Sequence, residues 1–459
     1  MISEYIRLPE QVEEIIRTLE GNGYEAYAVG GCVRDSLMGR IPNDWDITTS
    51  AMPQQVKALF RRTVDTGLQH GTVTVLMGRD GYEVTTYRID GVYEDARHPK
   101  DVTFTASLRE DLKRRDFTVN AMACHPERGL VDLFGGQEDL KAGIIRCVGD
   151  PLQRFTEDAL RIFRAVRFCA QLGFSMETHT REAIRQIAPN LRRVSAERIQ
   201  TELVKLLVSP HPEYLRMAYE TGITAVFFPE WDACMETRQN TPHHCYTVGE
   251  HILASMQNIR PDKVLRLTML LHDIAKPVVR KTDADGRDHF KQHGQVGEKM
   301  AGEILRRLKF DNETRRTVCH LIRWHDDRPA ADPKSVRHAV CRIGEELFPL
   351  YLEVQRADML AQSEYRREEK QLRLDGVCEC YRRILEEKNC VSLRTLAVTG
   401  RDLIEVGYRP GKEIGNVLLQ LLEHVLDAPE DNRKELLLEK ACEMNPEFRA
   451  HIRDSTDIG

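Results

Sequence analysis

The feature that most constrains this chain is the segment AVGGCVRDSLMGRIPNDWDITTS, residues 28–50, which contains Asp44 and Asp46. Side chains alternate along an extended segment, so two acids separated by one residue point to the same side of a strand. Two carboxylates so close together repel each other unless a hard cation lies between them. Mg²⁺ takes one or two protein carboxylates and completes its shell with water and substrate phosphate. The pair therefore predicts a magnesium site on a strand.

The residues just upstream of the two acids predict a phosphate-binding element. Gly30 and Gly31 allow the backbone to approach a ligand closely. Arg34 follows at a spacing suited to a phosphate contact, because its guanidinium matches phosphate oxygens with two parallel N–H donors. A phosphate-binding element beside a pair of metal ligands is the equipment of nucleotidyl transfer.

In this order and spacing, the run GGCVRD…DWDIT resembles the signature of the nucleotidyltransferase superfamily that includes DNA polymerase beta. It is more closely similar to the class II branch, which contains bacterial CCA-adding enzymes and poly(A) polymerases. The resemblance implies template-independent addition of C, C and A to the 3′ end of tRNA, with CTP and ATP as substrates. It implies that Asp44 and Asp46 hold two Mg²⁺ ions, one for the attacking hydroxyl and one for the pyrophosphate, while Gly31 and Arg34 position the triphosphate.

The first part of the chain, from Tyr24 to about Asp139, has the pattern of a small mixed sheet. The segments AYAVGG, GTVTVLMG, YEVTTYRI and DVTFTAS are rich in Val and Thr and predict strands. Residues 56–60 predict one helical piece between them, so we expect helices packed on one face of the sheet. Glu83 lies on one of these strands and is a candidate third carboxylate for the metal site; an exposed strand residue without a ligand is the simpler alternative.

A second motif, RRDFTVNAMA, contains Arg115 and Asp116. It resembles the class II motif that handles the ribose and phosphates of the incoming nucleotide. The resemblance implies that Arg115 contacts the triphosphate and that Asp116 accepts a hydrogen bond from a ribose hydroxyl. The alternative is a plain ion pair between these two neighbours.

The segment from Asp150 to Phe174 predicts one continuous helix on which charged residues recur every third position. These residues are Asp158, Arg161, Arg164 and Arg167. A carboxylate accepts hydrogen bonds and a guanidinium donates them, so Asp158 beside Arg161 matches the donor and acceptor edge that cytosine and adenine share. Uracil and guanine reverse that order, which leaves polar groups unmatched at a cost of roughly 1–3 kcal/mol each.

The same run, EDALRIFRAVRF, resembles the class II motif in which an Asp and an Arg take the place of a nucleic-acid template. The resemblance assigns base selection to Asp158 and Arg161, and leaves Arg164 and Arg167 to hold the triphosphate or the RNA. A row of intrahelical salt bridges is the alternative. In the following run, SAERIQTELVKLL, we expect Glu197 and Arg198 to brace this region without a chemical role.

The second half of the chain contains six ordered histidines and aspartates that could bind metal. They are His251, His272, Asp273, His293, His325 and Asp358. Imidazole and carboxylate groups arranged along helices suit one or two divalent metal ions. The order resembles the HD phosphohydrolase superfamily, which implies Mn²⁺-, Ni²⁺- or Mg²⁺-dependent cleavage of a phosphoester, such as a cyclic or terminal phosphate on a damaged RNA end. Burial as ordinary core residues is the alternative.

Three features favour full CCA addition over poly(A) synthesis, by resemblance alone. A predicted loop carries Asp95, Arg97, His98 and Pro99, as in full CCA-adding enzymes, and CC-only enzymes lack it. The stretch from Val64 to Leu76 has the form found in CCA-adding enzymes, and the basic, Phe-containing element of bacterial poly(A) polymerases is not seen. CC-only addition, A-only addition and poly(A) synthesis stay open as alternatives.

The predicted fold class is therefore α+β, with a mixed-sheet head followed by a helical neck, body and tail. The predicted domains are a nucleotidyltransferase head (1–140), a base-selecting neck (141–235), an HD-type metal-binding domain (236–375) and a helical tRNA-binding tail (376–459). In the tail, Leu396–Leu426 resembles the element that contacts the tRNA elbow, with a packing hairpin as the alternative. An HD hydrolase with a nucleotide-docking head, and a tRNA-binding chaperone, are the rival functions.

Composition limits the location and the partners. The 12 cysteines contain no Cys-x-x-Cys pair and no leader or membrane-length apolar run accompanies them, which predicts reduced thiols in the cytoplasm. The N-terminal segment instead predicts an amphipathic helix with Val12, Ile15, Ile16 and Leu19 on one stripe. The net charge of −6 argues against indiscriminate nucleic-acid binding, but local basic patches can still capture RNA. No stable protein partner is implied.

Overall fold

The computed structural model describes residues 6–68, 71–90 and 102–445. The chain divides into two compact units: a first unit of Met1–Asp232 with Arg307–Phe310, and a second unit of Ala233–Arg306 with Asp311–Gly459. The predicted loop with Asp95, Arg97, His98 and Pro99 lies outside the described residues.

The first unit opens with helix α1 (Glu10–Gly21), which buries the predicted stripe of Val12, Ile15, Ile16 and Leu19. The strands that follow are β1 (Ala26–Val29), β2 (Asp46–Thr49), β3 (Thr63–Gly67), β4 (Thr72–Met77), β5 (Asp80–Thr86), β6 (Arg88–Asp90), β7 (Val102–Phe104), β8 (Met122–His125), β9 (Gly129–Asp132), β10 (Ile144–Ile145) and β11 (Ser175–Met176). The apolar pattern of α1 and the Val- and Thr-rich strand segments were therefore both predicted correctly.

Seven of these strands form one mixed sheet in the order β3-β4-β5-β2-β1-β8-β9. The central pair β2 and β5 is parallel, and the other neighbours in the sheet are antiparallel. The head helices are α2 (Gly31–Leu37), α3 (Pro53–Leu59), α4 (Leu108–Lys113) and α5 (Gly136–Ala142). A small core that includes Tyr27, Tyr87, Leu112 and Ala123 joins α4 to the sheet. This arrangement confirms the predicted mixed-sheet head.

The rest of the first unit is almost entirely helical. Its helices are α6 (Pro151–Glu157), α7 (Leu160–Leu172), α8 (Thr178–Ile187), α9 (Ala196–Leu207), α10 (Leu215–Glu220) and α11 (Thr224–Phe227), and the boundary between the units falls inside α12 (Pro229–Glu236). α7 is largely buried, with Phe163, Val166 and Cys169 fully inside the core. The helical neck expected from the sequence is therefore present.

The prediction of one continuous helix over Asp150–Phe174 is wrong. Asp158 has an extended backbone, with φ −138° and ψ 101°, and this conformation ends α6 at Glu157. Its Oδ1 then accepts a hydrogen bond of 3.1 Å from the N–H of Leu160, in the first turn of α7. A carboxylate that satisfies a free helical N–H is a favourable way to begin a helix. Asp158 therefore lies at a break between two helices and not in a row with the three arginines.

The second unit is a helical bundle with one short hairpin. Its elements are α13 (Val248–Gln257), α14 (Lys263–Leu271), α15 (Lys276–Val279), β12 (Lys281–Thr282), β13 (Asp288–His289), α16 (His293–Arg307), α17 (Asn312–Trp324), α18 (Pro333–Ile343), α19 (Phe348–Ala361), α20 (Arg367–Glu386), α21 (Gly400–Glu405), α22 (Lys412–Asp427) and α23 (Lys434–Met444). Its core includes Leu321, Phe348, Tyr351, Val377 and Leu421. The predicted domain boundary at residue 375 falls inside α20. Among the described residues, no helix combines the length and apolar character that a bilayer crossing requires.

Candidate active site and metal centre

Three carboxylates meet at one end of the central parallel pair of strands. Asp46 is the first residue of β2, and its Cα partner on β5 is Glu83. Paired residues on neighbouring strands present their side chains to the same face, so the sheet places Glu83 beside Asp46. Asp44 lies two residues before Asp46 and is exposed. The structure thus brings both predicted acids together with the candidate third acid.

The pKa of Asp46 is raised, in part because the other two acids lie close to it. Burial raises the pKa of Asp46 from 3.8 to about 6, and the negative charges of Asp44 and Glu83 add to the rise while Arg115 opposes it. A raised carboxyl pKa of this kind means that the positive charge nearby is too small to offset burial and the neighbouring negative charges. The three acids therefore fit a hard divalent cation, for which carboxylate oxygens are the natural ligands.

The glycine turn beside these acids is flanked by two guanidinium groups. Gly30 has φ +87°, a conformation that favours glycine, and a Cβ placed there would lie 3.1 Å from Nη1 of Arg115. A Cβ on Gly31 would lie 3.6 Å from Nη2 of Arg34. Arg34 is buried and donates to Asn120 Oδ1, whereas the buried Nε of Arg115 has no hydrogen-bond partner among the described residues. The turn therefore presents a bare backbone between two cations.

Asp116 lies in the interior and does not pair with its neighbour Arg115. Its Oδ2 accepts two hydrogen bonds from Arg164, at 2.8 and 2.7 Å, and its Oδ1 accepts from the N–H of Phe117 at 2.9 Å. Burial alone would raise the pKa of Asp116, but the ion pair with Arg164 outweighs it and holds the pKa at about 2. Arg115 instead lies 3.5 Å from Asp111. The alternative of an Arg115–Asp116 ion pair is thus wrong, because the buried carboxylate is paired with a helix of the neck.

The two predicted base-selecting residues are each engaged by another charged side chain. Oδ2 of Asp158 accepts a hydrogen bond of 2.7 Å from Nη2 of Arg198, and Arg198 thereby braces the break between the helices. Nη1 of Arg161 donates to Glu157 at 2.9 Å, and Nη2 donates to the carbonyl of Arg114 at 3.2 Å. These contacts fix the orientation of both side chains.

Arg164 and Arg167, predicted to hold the triphosphate or the RNA, also have protein partners. Arg164 forms the bidentate pair with Asp116, and Nε of Arg167 lies 2.6 Å from a carboxylate oxygen of Glu202. Burial, together with Arg164, lowers the pKa of Arg167 to about 10 even though Glu202 opposes the shift. Arg167 also stacks over the ring of Phe168, at 3.7 Å from its centroid. These arginines therefore belong to a buried charge network that joins α7 to α9 and to the head motif.

The second unit brings together all six residues predicted to bind metal. Nε2 of His251 lies 2.9 Å from Asp358 Oδ1 and 3.3 Å from Nε2 of His272. Nε2 of His293 lies 3.0 Å from Nε2 of His325. Asp273 stands between the two halves, with Oδ2 at 3.3 Å from His272 and Oδ1 at 3.5 Å from His293. Two groups of three ligands, His251–His272–Asp273 and Asp273–His293–His325, therefore share one carboxylate.

The hydrogen bonds of the imidazole rings explain why these side chains suit a metal. Nδ1 of His272, His293 and His325 faces the carbonyl oxygens of Met269, Phe290 and Ile322 at 2.7, 2.8 and 2.6 Å. An Nδ1–H that donates to a carbonyl leaves Nε2 as an acceptor, so the Nε2 lone pairs converge on the same space. Converging lone pairs repel each other unless a cation lies among them. The donor set thus fits one or two divalent metal ions.

The packing of α16 against α17 sets the distance between His293 and His325. A Cβ added to Gly294 would lie 2.9 Å from the carbonyl oxygen of Arg323 and 3.2 Å from that of Ile322. Only glycine allows the backbones to come this close without a shift. His293 therefore reaches His325 because the next residue has no side chain.

Sequence reasoning missed two residues that border this metal centre. Lys276 lies one turn after Asp273, and its Nζ is 2.7 Å from Asp273 Oδ2 and donates to Gln239 Oε1 at 2.9 Å. His244 packs its ring against His251, at 4.9 Å between centroids, and burial followed by Lys276 lowers its pKa to about 2. Both line a cavity of about 320 Å³. The spacing Asp273-x-x-Lys276 at the end of a helix was the signal that could have identified Lys276.

Burial alone would raise the pKa of Asp273, but His272 and Lys276 hold it well below its usual range. Asp358 is likewise held well below its usual range, despite burial, by its contact with His251. Both aspartates are therefore ionised at neutral pH. His293 stays uncharged, because burial and its neighbour His325 lower its pKa to about 4.

Family models match three parts of the chain. Residues 26–146 match the "Poly A polymerase head domain", and residues 173–235 match the "Probable RNA and SrmB- binding site of polymerase A". Residues 290–441 match tRNA nucleotidyltransferase domain 2. The first match contains the three acids and the glycine turn, and the third contains His293, His325 and Asp358.

Similar proteins extend over almost the whole chain. The CCA-adding enzyme of Levilactobacillus brevis is 35% identical over 438 residues, which cover 94% of this chain and 98% of that protein. The CCA-adding enzyme of Enterococcus faecalis is 34% identical over 435 residues, covering 94% and 96%. Among solved structures, the Bacillus stearothermophilus CCA-adding enzyme in complex with CTP has 31% identity and a TM-score of 0.71, covering 97% of this chain and 100% of that one.

Proposed function

The chain belongs to the family of CCA-adding enzymes, and from this premise we propose that it adds C, C and A to the 3′ end of tRNA from CTP and ATP. The observation that carries the proposal is the meeting of Asp44, Asp46 and Glu83 beside a glycine turn. Arg34 and Arg115 flank that turn. Acids for metal binding and cations for phosphate binding are thereby combined at one edge of one sheet.

Asp44 and Asp46 are the proposed ligands of two Mg²⁺ ions, with Glu83 as their neighbour. The raised pKa of Asp46 supports this assignment, because it reflects burial of the carboxyl group beside the negative charges of Asp44 and Glu83, which Arg115 only partly offsets. Mg²⁺ bound there supplies positive charge to the attacking 3′-hydroxyl and to the leaving pyrophosphate.

Gly31, Arg34 and Arg115 are the proposed triphosphate contacts. The 3′-hydroxyl oxygen of the tRNA attacks the α-phosphorus, the bond to the bridging oxygen breaks, and pyrophosphate leaves. Arg115 is the best placed of the two arginines for the β- and γ-phosphates, since its Nε lacks a partner among the described residues. Arg34 is fixed in place by its hydrogen bond to Asn120 and by its ion pair with Asp35. Positioning and charge neutralisation are the main sources of catalysis in phosphoryl chemistry.

Asp158 and Arg161 are the proposed base-selecting pair. Asp158 accepts from the amino group of cytosine or adenine, and Arg161 donates to the adjacent ring nitrogen. Because Arg198 and Glu157 hold these side chains, the base must share or replace those contacts. Asp116, Arg164 and Arg167 are proposed to support the nucleotide as a network, with the Asp116–Arg164 pair linking the head motif to α7.

The test of this function uses tRNA that lacks its terminal CCA. The protein is incubated with CTP, with ATP and with both, and the 3′ ends are sequenced. We expect two C residues with CTP alone and CCA with both nucleotides. Addition that stops after CC with both nucleotides, addition of A alone, or a long A tail would identify the CC-only, A-only or poly(A) alternatives. Asp46→Asn should abolish addition, and Asp80→Asn, an exposed acid on β5, serves as the matched control.

A second candidate function is phosphoester hydrolysis in the second unit. The observation that favours it is the convergence of four Nε2 atoms and two carboxylates on one centre beside a cavity. These residues are proposed to hold one or two Mn²⁺, Ni²⁺ or Mg²⁺ ions, which supply an activated water when bound. Lys276 is placed to neutralise a phosphate oxygen in the cavity. The proposed substrates are cyclic or terminal phosphates on RNA ends.

The hydrolase proposal is tested with 2′,3′-cyclic and 3′-phosphate ends in the presence of each metal. Paired replacement of His272 and Asp273 by Ala should remove phosphate release. His289→Ala is the control, because His289 lines the same cavity but is exposed and bound to Asp283. Hydrolysis that persists in the paired variant would assign it to other residues.

We also propose that the protein acts in the cytoplasm. All 12 cysteines carry free thiols, and most of them are buried. Reduced, buried cysteines behave as small apolar side chains in a reducing compartment. To test whether these thiols are free in the cell, the protein is isolated with and without reductant, and the two samples are labelled with a thiol reagent.

A further inference from the structure

A groove between α16 and α17 concentrates positive charge on the second unit. It has a volume of about 700 Å³, and its lining includes Lys299, Arg306, Arg315, Arg316 and Arg323 together with two glutamates. The whole chain carries a net charge of −6, so a groove with five cations against two anions departs from the average surface. Neither the predicted nucleotide site nor the His–Asp metal centre includes these residues.

Most of the cations in this groove are not neutralised by the protein. Nη1 of Arg323 lies 2.8 Å from Glu298. Among the described residues, no ion pair involves Lys299, Arg306, Arg315 or Arg316. A surface helix elsewhere in the same unit behaves differently: on α20, both Arg382 and Arg383 pair with Glu379. The groove therefore keeps its charge available for an external anion.

The spacing of the cations indicates an extended anion. Lys299 and Arg306 are seven residues apart on α16, and Arg316 and Arg323 are seven apart on α17. Seven residues are about two helical turns, or roughly 10 Å, so each helix presents its charges along a line. A single phosphate would need convergent donors, whereas lines of separated guanidinium groups suit a chain of phosphates. Two small residues, Gly302 and Cys319, also line the groove, and a Cβ on Gly302 would be 3.6 Å from Sγ of Cys319.

We propose that this groove binds the sugar–phosphate backbone of the tRNA substrate. The inference rests on the proposed function, which supplies a polyanion as substrate. The groove contributes affinity without reading sequence, since phosphate contacts position a nucleic acid and base contacts specify it. Arg306, Arg315 and Arg316 are the contacts that matter most, because they are exposed or half-exposed and have no anionic partner in the described chain.

The test is the affinity for tRNA of a variant in which Arg306, Arg315 and Arg316 are all replaced by Gln. Fluorescence anisotropy with labelled tRNA lacking CCA, between 50 and 200 mM salt, gives the dissociation constant and its salt dependence. We expect affinity to fall roughly tenfold or more, and the slope of log K against log salt to shrink by about one for each lost phosphate contact. The KM for tRNA should rise, while kcat and the KM for CTP stay unchanged.

The matched control replaces three other arginines of the same unit, Arg260, Arg342 and Arg356, by Gln. The net charge changes by the same amount, but each of these side chains is ion-paired within the chain and lies outside the predicted tRNA-binding tail, so tRNA affinity should not change. A second readout is protection of Cys319: tRNA should slow its modification by a maleimide, with the exposed Cys245 as the internal reference.

If the groove variant binds tRNA with the affinity and salt slope of the wild type, the groove proposal is wrong. Equal loss in the groove variant and in the control variant would also overturn it, because the effect would then be one of net charge. Failure of the proposed function is read separately, from the wild-type protein: it would neither bind tRNA nor extend it with CTP and ATP.

Discussion

At the scale of single residues, the pairing of β2 with β5 adds a third acid, Glu83, to the pair Asp44 and Asp46. The sequence identified Asp44 and Asp46 from their spacing, but it could place Glu83 only on a strand. The parallel register Asp46–Glu83 is what brings the third acid beside them. A register between strands 37 residues apart depends on the whole sheet, and local patterns do not determine it.

Glu83→Gln should weaken the use of Mg²⁺ by the head. The change keeps the shape of the side chain and removes one negative charge beside Asp46, which should lower the rate roughly tenfold or more at limiting Mg²⁺. The measurement is the rate of C addition as a function of Mg²⁺ concentration. Asp80→Asn removes a charge from the same strand and should leave that curve unchanged. A wild-type Mg²⁺ dependence in the Glu83 variant would make this residue an ordinary exposed strand acid.

Asp158→Ala should relax the choice of base while phosphate binding is retained. A lost hydrogen bond to a buried base edge costs roughly 1–3 kcal/mol, so the preference for CTP over UTP in kcat/KM should fall about tenfold to a hundredfold. The inhibition constant of tripolyphosphate, measured by its competition with CTP, should not change. Asp150→Ala is the matched control, since Asp150 also accepts from a helical N–H two residues ahead. Unchanged discrimination would remove Asp158 from base selection.

Asp116→Asn should lower stability in a way that depends on pH. The folded protein lowers the pKa of Asp116 from 3.8 to about 2, so the stabilisation is fully present above about pH 4 and is lost as pH falls through about 2. Loss of the buried pair with Arg164 should reduce the free energy of unfolding by about 2–3 kcal/mol at neutral pH. Urea unfolding at several pH values measures it. Asp65→Asn, in an exposed pair with Lys57, should cost much less; a pH-independent difference would contradict the assignment.

At the scale of elements, sequence periodicity predicted those helices and strands whose burial follows from their own local pattern. The apolar stripe of α1 and the Val- and Thr-rich strands were confirmed because one side of each element packs on the core. The break at Asp158 was missed because apolar periodicity runs through it from Phe155 to Phe163. A contact with Arg198, 40 residues away, holds the carboxylate that separates the two helices. Tertiary contacts of this kind override helix propensity.

The close packing of α16 on α17 can be tested with one methyl group. In Gly294→Ala the new Cβ would lie 2.9 Å from a backbone carbonyl of α17, so the two helices must separate and His293 must move away from His325. We expect the affinity for Mn²⁺, measured by isothermal titration calorimetry, to fall at least tenfold, as for other losses of ligand positioning. Gly302→Ala is the control on the same helix, because its Cβ would make an ordinary 3.6 Å contact with Cys319. Unchanged Mn²⁺ affinity in both variants would show that metal binding does not depend on the close spacing of α16 and α17.

At the scale of the whole molecule, the two groups of candidate site residues belong to different compact units. The six residues predicted from the sequence to bind metal lie together in the second unit, and their metal binding stays a prediction. The sequence did not reveal Lys276 and His244 as neighbours of the centre, since their proximity depends on how the chain returns after α12 and α14. It also gave no account of the groove between α16 and α17, because which of its arginines lack an anionic partner among the described residues depends on the folded surface.

Ligands of the two sites should therefore stabilise the protein through different residues. A ligand at a hundred times its dissociation constant stabilises the unit that binds it by about 2.7 kcal/mol, which shifts an unfolding transition by several degrees. Mn²⁺ should raise the unfolding temperature of the wild type and of Arg115→Gln, but not of the paired Ala replacement at His272 and Asp273. CTP with Mg²⁺ should stabilise the paired variant but not Arg115→Gln. Calorimetric scans of the three proteins with each ligand measure these shifts in unfolding temperature. Loss of both the Mn²⁺ response and the CTP response in either variant would contradict the prediction, because it would show that the two sites do not bind their ligands independently.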